Sequence, residues 1–162
     1  GSEKIRKELL NRSYSNKDIY NGASILNQFD LKYRVENMCG IPGETELDMM
    51  STFELNKKIK GCYHWISIFQ PYPRLLLSER AKVAGFWNGK IDDIKETFFE
   101  ETNLNFKNKN LVLNFQRLFA IVIHYNFPVW LLKILIRVRE NRFYNAFCIK
   151  FKNKSYRKLY GI

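Results

Sequence analysis

Cysteine patterns that hold metals are missing from this chain. Its three cysteines, Cys39, Cys62 and Cys148, stand far apart. They make neither a CxxC pair nor a CxxxCxxC triplet, so no metal or cluster site can be written from them. Odd in number and widely spaced, they read as free thiols, and a cytoplasmic location is expected. Histidine is scarce too. His64 and His124 each sit alone on an apolar segment, which fits a satisfied core or interface histidine better than a ligand, because metal sites need converging partners. Long apolar runs are also absent. Leu118 to Leu132 contains no Lys, Arg, Asp or Glu, but it runs for only about fifteen residues, interrupted by Pro128, against about twenty for a membrane span. Buried helix–helix packing is expected there. Gly1-Ser2-Glu3-Lys4 opens a charged amphipathic segment, so no signal peptide is expected.

Acidic residues are nearly missing from the last third. Residues 107–162 carry 12 Lys/Arg against the single acid Glu140, whereas residues 1–106 carry 15 of each sign. The net charge of +11 therefore lies in the C-terminal third. Such a block marks an anionic-membrane or nucleic-acid surface, or else the solvated face of basic helices. What is abundant is apolar: 46% hydrophobic and 15% aromatic residues over 162 positions exclude a largely disordered chain and give room for one domain with a core.

Taken in order, Ser2 to Asn11 places Ile5, Leu9 and Leu10 at helical spacing. Ser15 with Asp18 is an N-cap pattern. It opens a helix over about Asn16 to Gln28, with Ile19, Ala23, Ile25 and Leu26 as its buried side. Lys32 to Cys39 reads as a strand with mixed polarity on both faces. A polar inward face would suit a barrel that holds a ligand, and Arg34 with Glu36 is one candidate pair. Thr45 with Asp48 repeats the capping box, so the next helix starts at about Glu46. Its apolar set is Leu47, Met50, Phe53, Leu55 and Ile59, and Gly61 follows as its expected C-cap. Tyr63 to Gln70, stopped by Pro71-Tyr72-Pro73, is a buried strand with a rigid exit. Helix, strand, helix, strand with short connections calls for a parallel sheet with right-handed crossovers. Leu75 to Ala84 is a short helix, residues 90–108 are polar with Phe98, Phe99 and Leu104 as anchors, and three helices follow: Asn110 to Tyr125, Val129 to Arg139 and Phe143 to Lys158.

Between the first strand and its helix lies Met38-Cys39-Gly40-Ile41-Pro42-Gly43-Glu44-Thr45. Glycines let the backbone approach something closely, and a Gly-rich turn entering a helix N-terminus offers free N–H groups to a polar ligand. Glu44, beside that N-terminus, reads first as a helix-capping acid. This segment resembles the fifth-strand turn of radical S-adenosylmethionine enzymes, G-[LI]-P-G-E-[TS]. Ser67-Ile68-Phe69-Gln70-Pro71-Tyr72-Pro73 is similar to the sixth strand of the members that carry a cobalamin-binding domain, S-x-F-x-P-Y-P-G-T. Gly1-Ser2-Glu3, Ile5-Arg6-Lys7 and Asn11-Arg12 match their G-S-E-x-I-R-K-x-x-x-N-R segment after the fourth strand. The match departs at Arg74, where that family has glycine.

The resemblance implies the C-terminal half of a parallel (β/α) partial barrel over residues 1–85, followed by an all-helical basic tail over 86–162. It implies a wall for the adenosine of S-adenosylmethionine made by Gly40, Ile41, Pro42, Gly43 and Glu44 and by Phe69, Gln70, Pro71 and Tyr72, acting through shape and backbone hydrogen bonds. No catalytic or metal-ligating residue is implied. An iron–sulfur cluster needs three thiolates, so the cluster and any cobalamin would require the missing N-terminal half, and the chain alone is expected to be inactive. A half-barrel exposes strand edges and an apolar lumen; the expected partner is that missing half or a second copy of the chain. The competing expectation is a non-enzymatic binding protein using its basic tail on an anionic membrane, with nucleic acid the less favoured target because no recognition motif is present.

Overall fold

The computed structural model describes residues 1–94, 101–139 and 141–160; Phe98 and Phe99 lie outside them. Among the described residues there are seven α-helices and two strands: α1 (Glu3–Glu8), α2 (Asn16–Gln28), β1 (Tyr33–Cys39), α3 (Glu46–Lys58), β2 (Cys62–Ile68), α4 (Leu76–Val83), α5 (Lys109–His124), α6 (Val129–Leu135) and α7 (Arg142–Tyr160), with a single 3-10 turn at Ile91–Asp93. The fold is mixed α/β around a two-stranded parallel sheet.

Two reciprocal caps set the starts of α2 and α3. The Ser15 hydroxyl accepts from the Asp18 N–H while Asp18 accepts from the Ser15 N–H at 2.7 Å. Thr45 and Asp48 do the same, with the Thr45 N–H donating to Asp48 at 3.0 Å. Each box satisfies two orphan donors of a helix N-terminus. Helical geometry turns about 100° per residue, and this decides two positions against expectation. Ile25 lies across α2 from Ile19 and Ala23 and is exposed, and Leu47 lies across α3 from Phe53 and Asn56 and is 77% exposed. Gly61, at positive φ, lies two residues beyond Ile59, which ends α3.

The strands pair in register from Tyr33↔Cys62 to Cys39↔Ile68. On β1 the alternation resolves which side is covered: Tyr33, Val35, Asn37 and Cys39 are buried or half-buried, while Arg34, Glu36 and Met38 are exposed. Cys39, Ile66 and Ile68 pack with Met49, Met50 and Phe53 of α3 and with Phe115, Leu118, Phe119 and Val122 of α5. Phe53 meets Phe119 edge-on with centroids 6.3 Å apart, and each buried phenylalanine contributes about 2–3 kcal/mol of transfer free energy. Leu132, Ile136 and Cys148 close the same core. Of the Leu118–Leu132 stretch, Leu118 to Ile123 and Leu132 are thus interior packing, whereas Asn126, Pro128 and Trp130 are exposed. Among the described residues no helix is long and apolar enough to cross a membrane. The core also runs across position 85, since α5 is a main wall of the sheet's own interior.

A polar network crosses this interior. Asn56, fully buried on α3, donates to Asn37 Oδ1 at 2.8 Å and to Thr52 O at 2.8 Å, and accepts from Asn37 Nδ2 at 3.0 Å. His64 Nδ1 of β2 lies 3.0 Å from the same Asn56 oxygen, so His64 is a satisfied core histidine. Burial lowers its imidazole from 6.5 to about 4. The unfolded chain therefore takes up that proton first as pH falls, and the stability held by the neutral ring is lost progressively from pH 6.5 down through about 4.

The two edges of the sheet differ. Gln116 Nε2 of α5 donates to the Ile66 carbonyl at 3.2 Å, a buried bond on the outer side of β2. The Phe69 N–H donates to the Cys39 carbonyl, which turns the backbone groups of alternate residues Cys39, Asn37 and Val35 toward β2 and those of Met38, Glu36 and Arg34 outward. Among the described residues no strand pairs with that outer edge. Replacing Asn56 by alanine strips partners from Asn37 and His64 together, and urea unfolding should show a loss of about 2–4 kcal/mol; a loss below about 0.5 kcal/mol, within the range of ordinary surface substitutions, would show that the network does not hold the sheet to α3.

Candidate functional site

Because β1 and β2 run parallel, their exits emerge at one end of the sheet, where α/β folds place ligands. The Gly40–Glu44 turn leaves β1 and the Phe69–Tyr72 segment leaves β2. The two touch: the Phe69 N–H to Cys39 O bond, 2.9 Å long, extends the ladder past β2, and the Ile41 and Phe69 side chains share a buried cluster with Ile5, Ala81, Trp87 and Leu104. Gly40 holds φ at +69°, and a Cβ there would stand 2.9 Å from Val112 Cγ1. Conformation and space both require glycine at that position. Pro42 is buried and Gly43 exposed.

Glu44 closes the turn on itself. Its Oε2 accepts from the Gly40 N–H at 2.7 Å and the Ile41 N–H at 3.3 Å, while its own N–H donates to the Ile41 carbonyl at 2.8 Å. Two expectations change as a result. The N–H groups of Gly40 and Ile41 are consumed internally, so the turn offers a ligand its shape and not these donors. The start of α3 is capped by Thr45, and Glu44 braces the turn in place of capping the helix. Burial raises its carboxyl to about 7, against the two N–H bonds that favour the charged form.

The second segment is packed from beneath. Phe69, Gln70 and Pro71 are buried and Tyr72 is 40% exposed. Gln70 Nε2 donates to the Glu101 carbonyl at 3.3 Å. Arg74 adopts φ +66°, the left-handed region that favours glycine and strains other residues by roughly 1–2 kcal/mol. The loop thus keeps a glycine-type backbone at the position where the resembled motif has glycine.

A cleft of about 460 Å³ borders β1. Four consecutive strand residues, Val35 to Met38, line it, which a strand can do only along its edge because successive side chains alternate faces. Of the nine expected wall residues, Ile41 and Glu44 reach this cleft; Gly40, Pro42, Gly43, Phe69, Gln70, Pro71 and Tyr72 do not. Sequence reasoning missed Arg6 and Ser67 as lining residues. Arg6 is buried, donates to Tyr14 O and to Asn16 Oδ1 at 3.3 and 2.6 Å, and lies over the Tyr14 ring. Arg34 and Glu36 form an ion pair on the open face, and the Arg34 guanidinium stands 5.0 Å from the Trp65 ring centre. That face is therefore polar along β1, which is the ligand-holding alternative to an apolar lumen.

The cysteines do not suit a cluster. Burial pushes Cys39 well up, Cys62 up to about 11 and Cys148 up, whereas cluster ligands are thiolates. Among the described residues no three His, Cys, Asp or Glu side chains group as metal ligands. No protein-family model matches this sequence, and neither does any curated protein.

A carboxyl raised on folding keeps its proton longer in the native state, so its contribution to stability is full below pH 4.5 and is lost as pH rises through about 7. Glu44→Gln keeps an acceptor for the two N–H groups and removes the titration. The stability of the parent minus that of Glu44→Gln, from urea melts, should fall by about 2–3 kcal/mol across this window. A flat difference would mean that the carboxyl is solvated.

Proposed function

We propose that this chain is the C-terminal part of a radical S-adenosylmethionine-type (β/α) barrel with a helical tail, and that its strand exits form one wall of an adenosine site. The observation that carries the reading is the junction of the two motif-bearing exits, Gly40–Glu44 and Phe69–Tyr72, at one end of parallel strands through the Phe69–Cys39 bond. The polar open face of β1 supports it, since in such a barrel the face away from the covering helices lines the lumen. Arg74 in a glycine conformation supports the same loop path.

The residues suit the nucleoside part of the cofactor. Ile41 and Met38 supply apolar wall, Ser67 and Glu36 supply polar groups, and the cleft volume falls in the range of roughly 300–1,000 Å³ usual for small-molecule sites. When bound, S-adenosylmethionine supplies a sulfonium centre; these residues would orient its adenosine, and Glu44 would keep the turn rigid. In this reading the cluster ligands and any cobalamin-binding half belong to a segment that pairs with the open edge of β1, or a second copy of the chain covers that edge.

Titrating the ¹⁵N-labelled chain with S-adenosylmethionine tests the reading. One wall of a site should bind weakly, with a dissociation constant in the range of about 1 mM or above. Shifts should concentrate at the amides of Met38, Ile41, Glu44 and Ser67. Shifts confined to α7, or none at high millimolar cofactor, would contradict it.

A further inference from the structure

The solvent sides of α6 and α7 pair large apolar groups with cations. On α6 and the turn that follows it, Trp130, Lys133, Ile134 and Arg137 recur at spacings of three and four residues and all are exposed, Trp130 to 62% and Ile134 to 56%. On α7, Phe143 and Phe147 lie one turn apart, the first 89% exposed, and Lys150 and Lys154 continue the same stripe. The other side of α7 is anchored: Cys148 is buried, the Tyr144 hydroxyl donates to the Leu135 carbonyl at 3.1 Å, and Phe151 packs against Tyr125. The stripe therefore faces outward by construction. Its charge is one-sided, since Glu140 is the sole acid of residues 107–162. Arg137, in the turn after α6, is neutralised by Glu46, whose two carboxylate oxygens accept from its Nη2 at 2.7 Å.

We infer that the outer faces of α6 and α7 form a docking surface for an anionic lipid bilayer. Trp130, Ile134, Phe143 and Phe147 enter the boundary between headgroups and acyl chains, while Lys133, Lys150 and Lys154 meet lipid phosphates and carboxylates. Amphipathic helices that pair aromatic and aliphatic groups with lysine lie in the membrane interface in this way. Bases could stack on Trp130, Phe143 and Phe147, but they leave the exposed aliphatic Ile134 without an apolar partner, which the acyl-chain boundary supplies. A second copy is disfavoured because it would bring the same positive surface against this one. The inference does not depend on the barrel reading.

Flotation of the intact chain with vesicles tests it. The chain should float with phosphatidylcholine vesicles containing about 30% phosphatidylserine and not with phosphatidylcholine alone. Apparent affinity should fall at least tenfold as salt rises from roughly 0.1 to 0.5 M. The double variant Trp130→Glu, Phe143→Glu alters side chains that are 62% and 89% exposed, so its circular dichroism and melting temperature should match the parent while its vesicle affinity falls at least tenfold. Equal flotation with neutral vesicles, undiminished binding by the double variant, or no flotation would overturn the inference. So would Phe143-dependent binding of single-stranded RNA, or a dimer that the double variant dissolves, without vesicle binding.

Discussion

Two buried carboxamides, Asn37 of β1 and Asn56 of α3, exchange hydrogen bonds of 3.0 and 2.8 Å, and the His64 ring of β2 shares the Asn56 oxygen. The network ties the crossover helix to both strands at once. It also fixes register, because a slip of one residue would move Asn37 to the open face and leave Asn56 and His64 without partners in an apolar interior. With Asn37 turned inward, Arg34, Glu36 and Met38 must face out. With the strands level, their two exits must meet. The character of the candidate site follows from this one polar contact between neighbouring elements.

The Gly40–Glu44 turn shows how local chemistry differs from its appearance. Two glycines before a helix invite the idea of a donor-rich cradle, but the carboxylate of Glu44 takes the Gly40 and Ile41 N–H groups. Gly40 is needed because Val112 of α5 approaches its backbone. The helix that walls the core from one side therefore shapes the turn on the other. Residues 107–162 hold the charge excess, yet α5 from that region is the most buried helix of the fold, and the basic character lies on the outer helices.

Much of this was legible from residue spacing. Ser15 with Asp18 and Thr45 with Asp48 announced the starts of α2 and α3, because a capping box acts over four residues. The aromatic and β-branched run ending at Pro71 announced β2. What local pattern could not carry was tertiary. Leu47 and Ile25 have apolar side chains but sit on helix faces that nothing covers among the described residues. The mixed polarity of β1 left its inward side open until the helices were placed. Burial of Phe69 was legible, but its place in a cluster with Ile5, Ala81, Trp87 and Leu104, and the bonds of Arg6 to Tyr14 and Asn16, depend on contacts that no local period encodes.

Among the described residues the sheet ends at β1, with an edge that no strand pairs beside the candidate site. Amide hydrogen exchange, followed residue by residue down to low protein concentration, tests this most directly. The Glu36 and Met38 amides should exchange near the rate of an unprotected chain while those of Val35, Asn37 and Cys39 remain strongly protected. Equal protection of both sets at the lowest concentration would mean that the chain covers its own edge, and the incomplete-barrel reading would fall.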